Sequence, residues 1–90
     1  MIEFDIKCSE SEKVYFNDSD EKMTVTVTVS DHCDGRPKVE NCKKNDTITE
    51  ERELEKGGGV VTFTVDKGHY IRVRCEGTGG DGCKVSLHVK

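Results

Sequence analysis

Five cysteines, Cys8, Cys33, Cys42, Cys75 and Cys83, are the densest reactive chemistry in this 90-residue chain. No two of them have C-x-x-C spacing, which argues against a zinc ribbon or a thioredoxin-like motif. His32-Cys33 together with Cys42 lacks a visible fourth ligand, so no metal is assigned there. In so short a chain this usage points to structural disulfides formed in an oxidising compartment. The odd number leaves one thiol free or shared between chains, and a free thiol usually packs as a small hydrophobe.

The remaining reactive groups do not assemble an enzyme. The histidines are His32, His69 and His88, and no serine lies in a G-x-S-x-G context. Gly79, Gly80 and Gly82 stand between two strand-like runs, not ahead of a helix, so they form no phosphate-binding loop. The expectation is a non-catalytic chain without a cofactor. Asp18, Asp20 and Glu21 put oxygen ligands in one loop and are weak calcium candidates, but the loop lacks the glycine and distal glutamate of an EF-hand. Asn17-Asp18-Ser19 and Asn45-Asp46-Thr47 are glycosylation sequons in expected loops. Arg36-Pro37, between Cys33 and Cys42, would be the reactive segment if the chain were a small secreted protease inhibitor.

One stripe could bind. Tyr70, Arg72 and Arg74 alternate outward along one run, and Lys84 and His88 do so along the next. On adjacent strands they would make a basic, tyrosine-bearing face suited to an acidic protein or a sulfated glycan, unless glutamates of a neighbouring strand offset it. Arg74 directly opposite Lys84 would cost a few tenths of a kcal/mol.

The elements that must position these groups are strands. Val occurs eleven times and Thr eight, Leu only twice, and Ala, Gln and Trp are absent, a composition that disfavours helices. With 36% charged residues and a net charge of −4, the chain is a poor non-specific binder of nucleic acid. No apolar run approaches the roughly 20 residues that span a bilayer, and MIEFDIKC alternates like a strand rather than a signal peptide. Residues 1–90 suit a single domain with a thin core.

Alternation gives the faces. Ile2, Phe4, Ile6 and Cys8 share one side of a first strand, and Val14 to Phe16 forms a second. Met23, Val25, Val27 and Val29 oppose Thr24, Thr26, Thr28 and Ser30 on a third. Pro37 places the next strand at an edge or at its own start. Residues 46–57 read as a strand ending near Leu54–Glu55, with one helical turn near Glu50 as the alternative. Val61, Phe63 and Val65 share a face, as do Ile71, Val73 and Cys75, and Cys83, Val85, Leu87 and Val89.

Two hairpins follow if Asp66-Lys67-Gly68 and Thr78-Gly79-Gly80 are tight turns, Gly68 being left-handed. Phe63 then faces Ile71, Val73 faces Val85, and Cys75 faces Cys83 within disulfide reach. That bridge would stabilise by about 2–3 kcal/mol. Cys33 and Cys42, flanking the Asp34-Gly35 turn, are the next pair, although Cys42 is out of phase with Val39 and Cys8 competes for either partner.

The stretch from Leu54 to Cys75, L-EKGGG-VVTFTV-DKG-HYIRVRC, resembles the tails of extracellular β-sandwich modules such as pre-peptidase C-terminal and immunoglobulin-like domains, without the tryptophan of antibody-type domains. The binary pattern MTVTVTVS and the Lys/Glu-rich surface also resemble de novo designed proteins. The expected fold is all-β: a small antiparallel β-sandwich of seven or eight strands, immunoglobulin-like or jelly-roll-like and disulfide-stapled, with a small barrel as the alternative. The expected role is a scaffold or binding module, extracellular if natural. Its partner would be a protein, an acidic glycan or calcium, and neither nucleic acid nor membrane.

Overall fold

The computed structural model describes residues 2–90, and among the described residues every regular element is a strand. In chain order these are β1 (Ile2–Ile6), β2 (Ser11–Phe16), β3 (Met23–Asp31), β4 (Lys38–Cys42), β5 (Ile48–Glu53), β6 (Gly58–Val65), β7 (Tyr70–Arg74) and β8 (Cys83–Val89). They form two antiparallel four-stranded sheets, ordered β1-β8-β3-β6 and β2-β7-β4-β5. The pairing is nested: the first strand pairs with the last, the second with the second-last, and so inward to β4 and β5. β3–β8 and β4–β7 contacts complete the sheets. A long hairpin wound up in this way is a jelly roll, so that expectation holds over the immunoglobulin-like order and the closed barrel.

The faces follow the alternation. Val25, Val27, Phe63, Val65, Val85 and Leu87 of one sheet meet Val14, Val39, Ile71 and Val73 of the other in a single core. Residues 48–53 are a strand, in keeping with the favoured reading of that segment. Pro37 immediately precedes β4, which is a central strand.

Neither expected hairpin forms. Phe63 pairs with Val25 on β3, not with Ile71. Val73 pairs with Glu12 and Val39, while Val85 pairs with Phe4 and Val29. Gly68 does adopt a left-handed φ of 79°, but the turn it makes carries the chain from one sheet to the other. Strands that face each other across a sandwich interior satisfy the same alternation as strands that neighbour each other in a sheet. The pattern reports which side looks inward and leaves the neighbour open.

Candidate functional site

The outer face of the second sheet gathers the polar chemistry. Parity along β4 turns Val39 and Asn41 inward and Glu40 and Cys42 outward. Glu40 is paired with Arg72, and Cys42 with Tyr70, across the β4–β7 ladder. Although on the outward side, Glu40 is only 1% exposed. Its Oε1 accepts from Arg72 Nε at 2.6 Å, and Arg74 Nε donates to both carboxylate oxygens at 3.1 Å. Burial pushes the Glu40 pKa up, but the bonds from Arg72 and Arg74 outweigh it and hold the carboxyl below its ordinary value. The same pairing raises the Arg72 pKa.

Tyr70 closes the other end of this row. Its hydroxyl donates to Asp46 Oδ1 at 2.6 Å, and Lys13 Nζ lies 4.5 Å above its ring. Burial first, then the bond to Asp46, raises the Tyr70 pKa, so it stays a neutral phenol. The Asp46 carboxyl is held below its usual range by Tyr70 and then Lys13. Beside Tyr70 a shallow groove of about 360 Å³ is lined by Lys13, Val14, Tyr15, Phe16, Lys44 and Tyr70.

The expected basic stripe is therefore divided. Tyr70, Arg72 and Arg74 lie on the second sheet, while Lys84 and His88 lie on β8 of the first. Arg74 stands opposite Ser11 and Lys38, and Lys84 opposite Asp5 and Ser30, so Arg74 and Lys84 do not meet. The division follows from β7 and β8 belonging to different layers.

In the loop of Asp18, Asp20 and Glu21, Asp20 Oδ1 lies 3.0 Å from Lys67 Nζ. The loop is organised by Asn17, the first residue of the Asn17-Asp18-Ser19 sequon. Asn17 is fully buried, and its Nδ2 donates to the carbonyls of Glu21 and Val65 at 2.8 Å each. Its Oδ1 accepts from the Ser19 amide and hydroxyl at 3.0 and 2.6 Å. Both amide hydrogens are spent inside the fold, which leaves no place there for a glycan. Arg36 donates to the Leu54 carbonyl at 3.1 Å and pairs with Glu53, lying against the body of the domain.

The sulfurs meet at one end of the sandwich. Cys8 is bonded to Cys33, and Cys75 to Cys83, with Cα separations of 5.7 and 5.8 Å. The second bridge joins the end of β7 to the start of β8 and so ties one sheet to the other, rather than stapling a hairpin. The expected Cys33–Cys42 bridge is absent. Cys33 lies beside Cys75, past the last residue of β7, whereas Cys42 is paired with Tyr70, its first residue, on the outer face. The phase slip between Val39 and Cys42 was the signal for this. Cys42 is a buried free thiol, its pKa raised mainly by burial. The loop carrying Arg36-Pro37 is thus not closed into a ring by its own cysteines.

No family model and no curated protein matches this sequence. Among solved structures, the fold is similar to a chain described under "Bacillus endospore appendages form a novel family of disulfide-linked pili", with a TM-score of 0.65, 12% identity, and 98% of this chain and 79% of that one covered. The likeness is one of fold. It spans both sheets, since nearly the whole chain is superposed.

Proposed function

We propose that the chain is a non-catalytic β module, braced by disulfides for use outside the reducing cytoplasm, that serves as a structural unit by joining a second copy along its β6 edge. One observation carries this reading. β6 is an edge strand of eight residues without a charge or a proline; Gly58, Thr64 and Val65 are bonded to Glu55, Asn41 and Asn17, and the stretch between them has no second strand beside it and exposes Val60 at 63%. Unpaired edge groups template the addition of another strand, and edges that must stay single are usually blocked by charge. The other three edges carry such charges: Glu3 and Asp5 on β1, Glu12 and Lys13 on β2, and Glu50 to Glu53 on β5. Joining β6 of one copy to β6 of another uses the same edge twice and closes as a two-fold dimer. The fold likeness to a pilus protein supports the reading. With four cysteines closed within the chain and Cys42 buried, native copies would associate without covalent links. The pairing of Glu40 with both arginines commits those three groups to one another, which supports the non-catalytic part.

Sedimentation velocity and negative-stain microscopy of the oxidised chain test it, with Val60→Lys as the comparison. The expected result is concentration-dependent assembly of the parent and monomeric Val60→Lys with the same melting temperature. A parent that stays monomeric at every concentration overturns the proposal.

A second reading rests on the groove at Lys13, Tyr15, Phe16, Lys44 and Tyr70, where two cations flank aromatic surface, a pairing suited to a sulfated glycan. Heparin retention of the parent but not of Lys13→Glu/Lys44→Glu is expected on that reading. Equal retention of the two removes it.

A further inference from the structure

Three sulfurs and a carboxylate converge where the two bridges touch. The Sγ atoms of Cys33, Cys75 and Cys83 and a carboxylate oxygen of Asp31 all lie within 4.8 Å of one another. All four residues are buried, Asp31 at 6% exposure. Asp31 Oδ1 accepts from the Cys33 amide at 2.6 Å, but its Oδ2 has no hydrogen-bond partner. A buried carboxylate oxygen without a donor is costly, and neither disulfide offers it a proton.

The backbone fixes this cluster independently of the S–S bonds. Asp31 and Cys83 are direct partners in the β3–β8 ladder. Cys33 follows Asp31 by two residues and is tied to it through its amide. Cys75 exchanges backbone bonds with the Ser9–Glu10 turn, donating to the Glu10 carbonyl and accepting from the Ser9 amide, each at 2.8 Å.

We propose that, once both disulfides are reduced, Cys33, Cys75, Cys83 and Asp31 bind one zinc ion tetrahedrally through three thiolates and Asp31 Oδ2. With a phosphine as reductant, each bridge takes up two electrons and becomes two thiols, and the phosphine becomes its oxide with an oxygen from water. Three thiols then release their protons to solvent as the metal binds; Cys8 remains a thiol. Zn–S bonds of about 2.3 Å place tetrahedral ligands about 3.8 Å apart. Cys33 Sγ and Cys75 Sγ already stand at 3.6 Å. The Cys75 and Cys83 sulfurs separate by less than about 2 Å from an ordinary S–S bond length. Thiolate-rich sites favour zinc over calcium or magnesium. The same end of the sandwich is thus metal-stapled under reducing conditions and disulfide-stapled under oxidising ones.

Cobalt(II) titration of the phosphine-reduced full chain tests the site. The expected result is one cobalt per chain, a tetrahedral d–d spectrum with thiolate charge-transfer bands, displacement by zinc, and a higher melting temperature with metal than without. Asp31→Asn should weaken binding at least tenfold, and Cys83→Ser should remove about a third of the charge-transfer intensity. Cys42→Ser and Cys8→Ser should change neither. Oxidised Asp31→Asn should melt no lower than the parent, which shows that its binding defect is not a folding defect. Three results overturn the assignment: no tetrahedral spectrum at equimolar cobalt, equal affinity of the urea-unfolded reduced chain, or loss of the spectrum in Cys8→Ser with Asp31→Asn unaffected.

Discussion

Glu40 and Arg72 face each other directly across the β4–β7 pair, with 2.6 Å between Oε1 and Nε, on the outward side of a sheet yet almost out of reach of water. Removing the charge strands two guanidinium groups whose partner was bound into the fold. Glu40→Gln should therefore cost about 2–3 kcal/mol in urea unfolding, at the low end for a buried pair because both arginines keep some solvent. The pH dependence has a definite sign. Glu40 has its folded pKa depressed, so its contribution is complete above its unfolded value of about 4.3 and disappears as pH falls through the folded value. The parent and Glu40→Gln should differ fully at pH 5–8, with the difference shrinking as pH falls below the unfolded value of about 4.3.

The two bridges close loops of different length, with sequence separations of 25 for Cys8–Cys33 and 8 for Cys75–Cys83. Chain-entropy arguments give about 3.5 and about 2.5 kcal/mol respectively. Cys8→Ser/Cys33→Ser should accordingly lower the unfolding free energy more than Cys75→Ser/Cys83→Ser. Denaturant titration of both variants measures the order, and the reverse order would point to native-state effects outweighing the loop term.

Single substitutions should behave differently because the bridges touch. In Cys83→Ser, the freed Cys75 thiolate lies beside Cys33, whose sulfur is 3.6 Å away in the parent. Attack on the Cys8–Cys33 bond forms Cys33–Cys75 and releases Cys8 as the thiolate. Peptide mapping after incubation at pH 8 should find the new bridge and label Cys8. Recovery of Cys8–Cys33 alone would contradict this.

Cys42 is both buried and held as a thiol, since burial raises its pKa. A thiol reagent must wait for the fold to open, so its native reaction should be slower than in urea by a factor of about 1,000 or more. The unfolded oxidised chain should titrate one thiol. Rapid native labelling would show that the Tyr70 end of the second sheet opens far more easily than its core.

Asn17 bonds the 17–22 loop to the end of β6 through Glu21 and Val65. Asn17→Ala takes the side-chain donor from the buried Val65 carbonyl, while the Glu21 carbonyl keeps the Ser19 hydroxyl, and a loss of about 1–3 kcal/mol is expected from thermal or urea unfolding. Ser19→Ala, which removes the hydroxyl's bonds to Asn17 Oδ1 and to the Glu21 carbonyl and amide in partly or fully exposed places, should cost less.

Strand identity and inward faces were legible because Val25, Val27 and Val29, or Val85 and Leu87, sit two apart in a chain poor in helix formers. The Gly68 turn was legible too, since a left-handed position favours glycine. Strand neighbours were not. β7 lies between β2 and β4, partners far away in the chain, and nothing local in Tyr70–Arg74 distinguishes them from β8. The Glu40 cluster was hidden for the same reason, because its members come from strands that only the topology brings together. The bulge opposite Asn41 and Cys42 has Thr49 of β5 as its extra residue, and nothing in the alternation of β4, which is regular through Cys42, announces it.

Nested pairing also governs how the chain acquires its shape. β4 and β5 are joined by a short turn, so their association closes little chain. Each successive outer pair must bring together segments farther apart, ending with Ile2 beside Leu87. Loop-closure entropy then makes the central hairpin the natural nucleus and the meeting of the two termini the last event, with refolding on the millisecond-to-second scale of non-local β proteins.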